Sequence, residues 1–318
     1  MIFFRFQNHF VIFALSSIVL SDEAFMTIGK FIIHLTSFTA FSFVIIFGIA
    51  GCEKDDTDEF VSQAKVVAEY VRAEDYMADL FGLMHHSIFD TTLNKYDTAH
   101  VEQIFVTRQY DTLSGIATYL IDFDSPYQPT EVQQVYNGKV TAHLYQPFEN
   151  EGAVMEAVFN DYTVNGYLLQ GNLKYKNTGE FVNGAKKYSL DYNLDLILNE
   201  KKLLSFQPER DLFWSTGFDT PDDVDDDEFT LPEGAAATYF SPDADQQTIP
   251  VNTTFTESWT IGISCFRYFQ NGKFVSSIEM NGKQLELNGA FIDADLDNCA
   301  DKVMIKNFDG SLGYPYYL

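Results

Sequence analysis

Lys187-Tyr188-Ser189-Leu190-Asp191-Tyr192-Asn193-Leu194-Asp195-Leu196-Ile197-Leu198-Asn199 is the stretch that decides the fold. Tyr188, Leu190, Tyr192, Leu194, Leu196 and Leu198 alternate with Lys187, Ser189, Asp191, Asn193 and Asp195, which is the period of a strand with one buried and one wet face. A two-faced strand belongs to an antiparallel sheet, because parallel sheets are covered on both sides. At about 3.4 Å per residue the run would reach roughly 40 Å. A large, curved sheet is therefore expected.

The flanking sequence repeats the pattern. Tyr167, Leu169, Leu173 and Tyr175 alternate with Gln170, Asn172, Lys174 and Lys176 after Asn165-Gly166, and Asn-Gly is the strongest short hairpin signal because both residues tolerate positive φ. The dipeptide recurs at Asn137-Gly138, Asn183-Gly184, Asn271-Gly272, Asn281-Gly282 and Asn288-Gly289, with Asp309-Gly310 as a near equivalent. Beyond Phe89 no stretch reads as a crossover helix. The chain from 95 to 318 thus reads as an all-β antiparallel meander.

Ahead of it the period changes. Phe60, Ala64, Val67, Ala68, Val71, Ala78, Phe81, Met84 and Ile88 recur three or four apart, with Lys65, Glu69, Arg72 and Asp79 between them. Such spacing predicts an amphipathic helical segment over 60–94, packed on the sheet with its polar side in water, and with Asp58 as its N-cap. Met77 and Met84 read as packing. His85 and His86 point about 100° apart on a helix, so a shared metal is not expected there.

The first 51 residues read as a signal peptide. Phe31 to Ile49 is nearly continuous apolar sequence preceded by Lys30, the order of an export signal, although its length also suits a membrane span. Ile49-Ala50-Gly51-Cys52 closes the run as a bacterial lipobox, in which small residues admit the peptidase and the Cys52 thiol takes the lipid. A second apolar patch, Phe10 to Leu20, precedes Met26. Translation from Met26 would give the expected signal layout, and two membrane passes are the alternative. Residues 52–59 then form a lipidated acidic tether.

Composition narrows function. With 20 Lys plus Arg against 46 Asp plus Glu, a net charge of -26 repels phosphate backbones and excludes nucleic acid as the expected partner. Of the three cysteines, a lipidated Cys52 leaves Cys265 and Cys299 as an even pair. Export permits a disulfide between them, placing Cys265 in a strand from Ser258 to Tyr268 and Cys299 at a turn; two buried thiols are the alternative.

Phe159-Asn160-Asp161-Tyr162-x-Val164-Asn165-Gly166, Trp214-x-x-Gly217-x-Asp219-Thr220-Pro221 and the Cys265/Cys299 pair resemble surface lipoproteins of Bacteroidota of the flavobacterial type. Glu53-Lys54-Asp55-Asp56 is similar to their acidic export tag. The resemblance implies a lipid-anchored β protein of the outer membrane facing the cell exterior, and implies no activity.

Chemistry-bearing motifs are sparse. Asp219, Asp222, Asp223, Asp225 and Asp227 supply the oxygen ligands that Ca²⁺ takes, making Ca²⁺ the one cofactor the ligand types admit. Asp293, Asp295, Asp297 and Asp301 form a second acidic run, with Asn298 where an EF-hand needs glycine. The sequence contains no nucleophile elbow, zinc helix or phosphate loop. Trp214, Tyr314 and Tyr316 are the candidate platform for a glycan or protein ligand. A non-catalytic binding or adhesion module is the leading expectation. A structural or assembly lipoprotein, and a carboxylate-dependent hydrolase, are the alternatives.

Overall fold

A computed structural model describes residues 54–318 except 102–103, 125–133, 207–208, 221–222, 241–248, 266–268, 281, 294–296 and 298. Ile49, Ala50, Gly51 and Cys52, together with Asp222 and Asp295, lie outside the described residues. Two helices open the body: α1 (Lys54–Phe89) and α2 (Thr91–Tyr96). Asp90 caps α2 by accepting the Leu93 N–H, and Asp97 closes it in the left-handed conformation.

Among the described residues sixteen strands follow in one antiparallel sheet. The first seven are β1 (Thr98–Val101), β2 (Ile104–Asp111), β3 (Ile116–Asp122), β4 (Tyr136–Leu144), β5 (Val154–Val164), β6 (Tyr167–Val182) and β7 (Ala185–Leu198). Next come β8 (Lys201–Phe206), β9 (Glu209–Thr216), β10 (Glu228–Leu231), β11 (Gly234–Phe240) and β12 (Ile249–Gly262). The last four are β13 (Phe269–Met280), β14 (Lys283–Ile292), β15 (Lys302–Asn307) and β16 (Gly313–Tyr317).

The apparent branching in the middle resolves into a simple path. β8 and β9 lie end to end along β7, with Leu194 facing Phe206 and Lys186 facing Trp214 in one register. β10 and β11 lie likewise along β12, and the two broken strands pair with each other, β9 with β10 and β8 with β11. Each therefore acts as one long interrupted strand. The whole sheet is an up-and-down meander, as the hairpin signals indicated.

Those signals divide into two kinds. Asn165-Gly166 and Asn183-Gly184 turn with positive φ at both residues, whereas Asn137-Gly138, Asn271-Gly272 and Asn288-Gly289 lie inside β4, β13 and β14. The strand glycines make room: a Cβ at Gly289 would collide with the Phe274 ring, and one at Gly272 with the Trp259 indole. Asn199-Glu200 makes a positive-φ turn with no glycine at all.

Helix α1 differs most from expectation. It begins at Lys54, so the residues read as an acidic tether from 54 to 59 are helical and Asp58 is not its cap. From Val66 to His85 every residue except Arg72 is buried, including Glu69, Glu74, Asp75 and Asp79. The sheet curls round the helix instead of lying under it. Tyr314 of β16 packs on Phe60, Tyr167 of β6 on Tyr76, and both Tyr175 of β6 and Phe229 of β10 on Phe81. Among the described residues no helix is long and apolar enough to cross a membrane.

Cys265 and Cys299 form a disulfide, with Cα atoms 5.3 Å apart. Cys265 sits in the 3-10 turn Ile263–Cys265 that ends β12, not in a continuing strand. Closing a loop across a sequence separation of 34 contributes about 4 kcal/mol.

Because strands alternate in direction, turns fall at two ends. The turns at 112–115, 145–153, 183–184 and 217–227 and the disulfide share the end where α1 finishes. Phe181 meets Phe218 there at 5.5 Å, Ile263 N–H donates to Asp227 C=O, and His85 near the end of α1 bonds Asp227. The turns at 165–166, 199–200 and 308–312 lie at the opposite end, where Phe60 of α1 packs on Tyr314.

Candidate functional site

The buried polar residues of α1 form a ladder of clamps, each reaching a different part of the sheet. Glu69 and Arg72 are 2.8 Å apart, Arg72 Nη1 donates to Tyr167 Oη at 2.9 Å, and Arg72 Nη2 donates to the Tyr317 carbonyl at 3.2 Å. One turn on, Glu74 accepts from the Tyr192 hydroxyl and from Arg210. Asp79 accepts from Tyr136 at 2.6 Å. Near the helix end, His85 Nε2 lies 2.6 Å from Asp227 Oδ2, whose other oxygen accepts the Trp214 indole N–H at 2.9 Å.

Burial sets the protonation of these groups. Removal from water raises the carboxyls of Glu74 and Asp75, with Arg210 pulling Glu74 back and the neighbouring Asp79 pushing Asp75 further up. The same loss of water lowers the His85 imidazole, against the pull of Asp227. A neutral His85 donates through Nε2 to the Asp227 carboxylate. An imidazole held by a carboxylate is the orienting half of a catalytic triad. Here the ring is sealed among Phe81, Phe89, Phe148, Trp214 and Phe229, with no hydroxyl or thiol nucleophile against it in those contacts. The pair is a latch.

Asp75 is the conspicuous residue of the ladder, because it is fully buried and among the described residues its oxygens meet no side-chain hydrogen-bond partner, only the backbone N–H of Phe269. Its folded pKa is raised, so the stability it supports is full below the unfolded value of about 3.9 and declines as pH rises through the folded value. Glu74 has the same sign. His85 has the opposite one, its contribution being present above about 6.5 and lost as pH falls through its lowered folded value. Asp75→Asn is expected to be more stable than the parent by about 1–3 kcal/mol at neutral pH and above, and to flatten the fall in stability toward alkaline pH. Urea unfolding across a pH series measures this; an unchanged slope with no gain would refute it.

The expected aromatic platform loses Trp214 to the core, while Tyr314 stays 40% exposed. Trp214 is 3% exposed and packed behind the Asp227 latch, because its indole N–H finds its partner inside. Tyr314 packs on Phe60 of the helix, and Tyr316, two residues on and hence on the same face of β16, is half-buried against the core. Tyr317 turns outward beneath the Lys302 ammonium, 4.8 Å from its ring centre. Trp259 is fully buried among Phe255, Phe269, Phe274 and Phe291.

The expected Ca²⁺ ligands also separate. Asp219, Asp223 and Asp225 are exposed, while Asp227 is turned into the core by His85 and Trp214. Gly217 allows the turn, since a Cβ there would collide with Asp227. Asp226, which was not among the expected ligands, accepts from the Thr220 hydroxyl. In the second acidic run Asp293 accepts the Asp297 N–H and Asp297 the Cys299 N–H, so these carboxylates bind backbone. Among the described residues no set of three or more His, Cys, Asp or Glu side chains converges to hold a metal ion.

A cavity of about 10 Å³ borders Glu74, Met77, Tyr175, Tyr192 and Leu212. It holds no more than a single water. No family model, curated protein or solved structure matches the chain.

Proposed function

We propose that the protein is a lipid-anchored outer-membrane or cell-surface lipoprotein that binds a glycan or protein on its exterior, without catalysing a reaction. The observation that carries this reading is the Cys265–Cys299 disulfide. A disulfide implies an oxidising, extracytoplasmic compartment, and it accounts for two of the three cysteines. The third is Cys52, at the end of the apolar run and in the lipobox. The polar groups best suited to chemistry, His85, Asp227, Glu74 and Arg210, are sealed and bonded to one another. What remains accessible is a wet sheet face, the loops at its ends, and scattered exposed rings such as Phe181 and Tyr317.

Palmitate labelling and membrane fractionation test the anchor. Wild type is expected to carry label and sediment with membranes, and Cys52→Ala to lose both; equal labelling of the two defeats the reading. Mature protein is expected to be retained on glycan arrays or cell-surface extracts, with Phe181→Ala and Tyr317→Ala as the exposed-ring controls. Absence of any retained ligand would overturn the binding role.

A further inference from the structure

Resting on the lipid-anchor reading above, we infer that the body stands on the bilayer by the end where α1 enters, and that the end bearing the disulfide and the 217–227 loop faces away from it. The chain between Cys52 and Phe60 reaches at most about 28 Å when fully extended. The helical stretch Phe60–Phe89 spans about 45 Å at 1.5 Å per residue. The lipid is thus tied to the entry end, and the exit end lies the length of the helix beyond it.

Charge bears on how far the body can tilt. The exit end exposes Asp219, Asp223, Asp225, Asp226 and Asp297, which an anionic headgroup layer repels over about a Debye length. The entry end has carboxylates as well, at Asp124, Asp161, Glu200 and Asp309 and in the tether sequence at Glu53, Asp55, Asp56, Asp58 and Glu59, beside exposed Lys201 and Lys202, the latter paired with Asp195 at 2.6 Å, so the direction rests on the tether length and not on charge. A molecule lying on its side would bring the exposed carboxylates at 217–227 toward the headgroups. Standing upright separates them, so partners meet the exit end first.

The cysteine inventory makes the test clean. With Cys52 lipidated and Cys265 bonded to Cys299, a cysteine introduced at an exposed site is the single free thiol. Leu113→Cys reports the exit end and Phe308→Cys the entry end; both side chains are in solvent, at 97% and 71% exposure. Each full-length lipidated variant is labelled with a donor dye and bound to phosphatidylethanolamine–phosphatidylglycerol vesicles carrying an acceptor lipid. Energy transfer from position 308 is expected to exceed that from position 113 several-fold. Equal or reversed transfer in vesicle-bound protein overturns the orientation while leaving the anchor standing. Failure of the lipidated protein to bind vesicles overturns both.

Discussion

Arg210→Ala is expected to destabilise the body by about 3–5 kcal/mol, the usual cost of stripping one partner from a buried ion pair. Arg210 is the cation that meets Glu74 inside the sheet, and its side chain is 8% exposed against 2% for Glu74. Its guanidinium also lies over the rings of Tyr192 and Phe255, at 5.3 Å from each. Alanine would leave Glu74 without its cation, with only the Tyr192 and Tyr70 hydroxyls beside it, and would open a void beside those rings. The loss should be largely reversed in the double variant Glu74→Gln with Arg210→Met, because removing both charges removes the need for either. Urea unfolding of Glu74→Gln, Arg210→Met and the double variant closes the cycle. If the double variant is as unstable as the sum of the singles, the two residues do not act as a pair.

Asp227→Ala is expected to cost a similar amount, about 2–5 kcal/mol, for a different reason. Its two oxygens serve two buried donors, His85 Nε2 and Trp214 Nε1, and each would be left unbonded in an apolar cage. The backbone of Asp227 holds the loop through bonds to Val224 and Ile263. With the side chain gone, 217–227 should become the first site of proteolysis. Asp227→Asn, which keeps shape and an acceptor for one donor, should lose less. Limited proteolysis with mass spectrometry, alongside thermal unfolding, measures both. Cleavage elsewhere first, at unchanged stability, would mean that the latch is not what holds the loop.

Much of the fold is legible in the residues themselves. The alternation in Lys187–Asn199 and the two positive-φ Asn-Gly turns at 165 and 183 give the antiparallel meander, because side-chain alternation and turn chemistry are local. The helix is the instructive failure. Glu69 and Asp79 occupy positions that periodicity assigns to water, yet both are buried, since Tyr167 and Tyr136 approach from distant strands to bond them. A window of one helix contains no trace of those partners. Trp214 failed for the same reason, its partner Asp227 lying in a run that reads as a solvated loop. A signal was nonetheless there: Glu69, Glu74, Asp75 and Asp79 fall on more than one side of the helix, which a helix with a single wet face does not require.

The ladder of clamps also orders events along the chain. Neighbouring strands of the meander can zip as soon as each hairpin turn exists, but the helix, which comes first, draws its partners from positions as late as Asp227 and Tyr317, the latter 245 residues beyond Arg72. Until β16 is in place the Tyr317 carbonyl cannot meet Arg72, and the apolar faces of the last strands have nothing to enclose. Completing the sheet and satisfying the helix are therefore one event. A chain that stalls before its final hairpin carries a helix of unpaired charge in an unfinished shell, a form that chaperones and proteases are equipped to recognise.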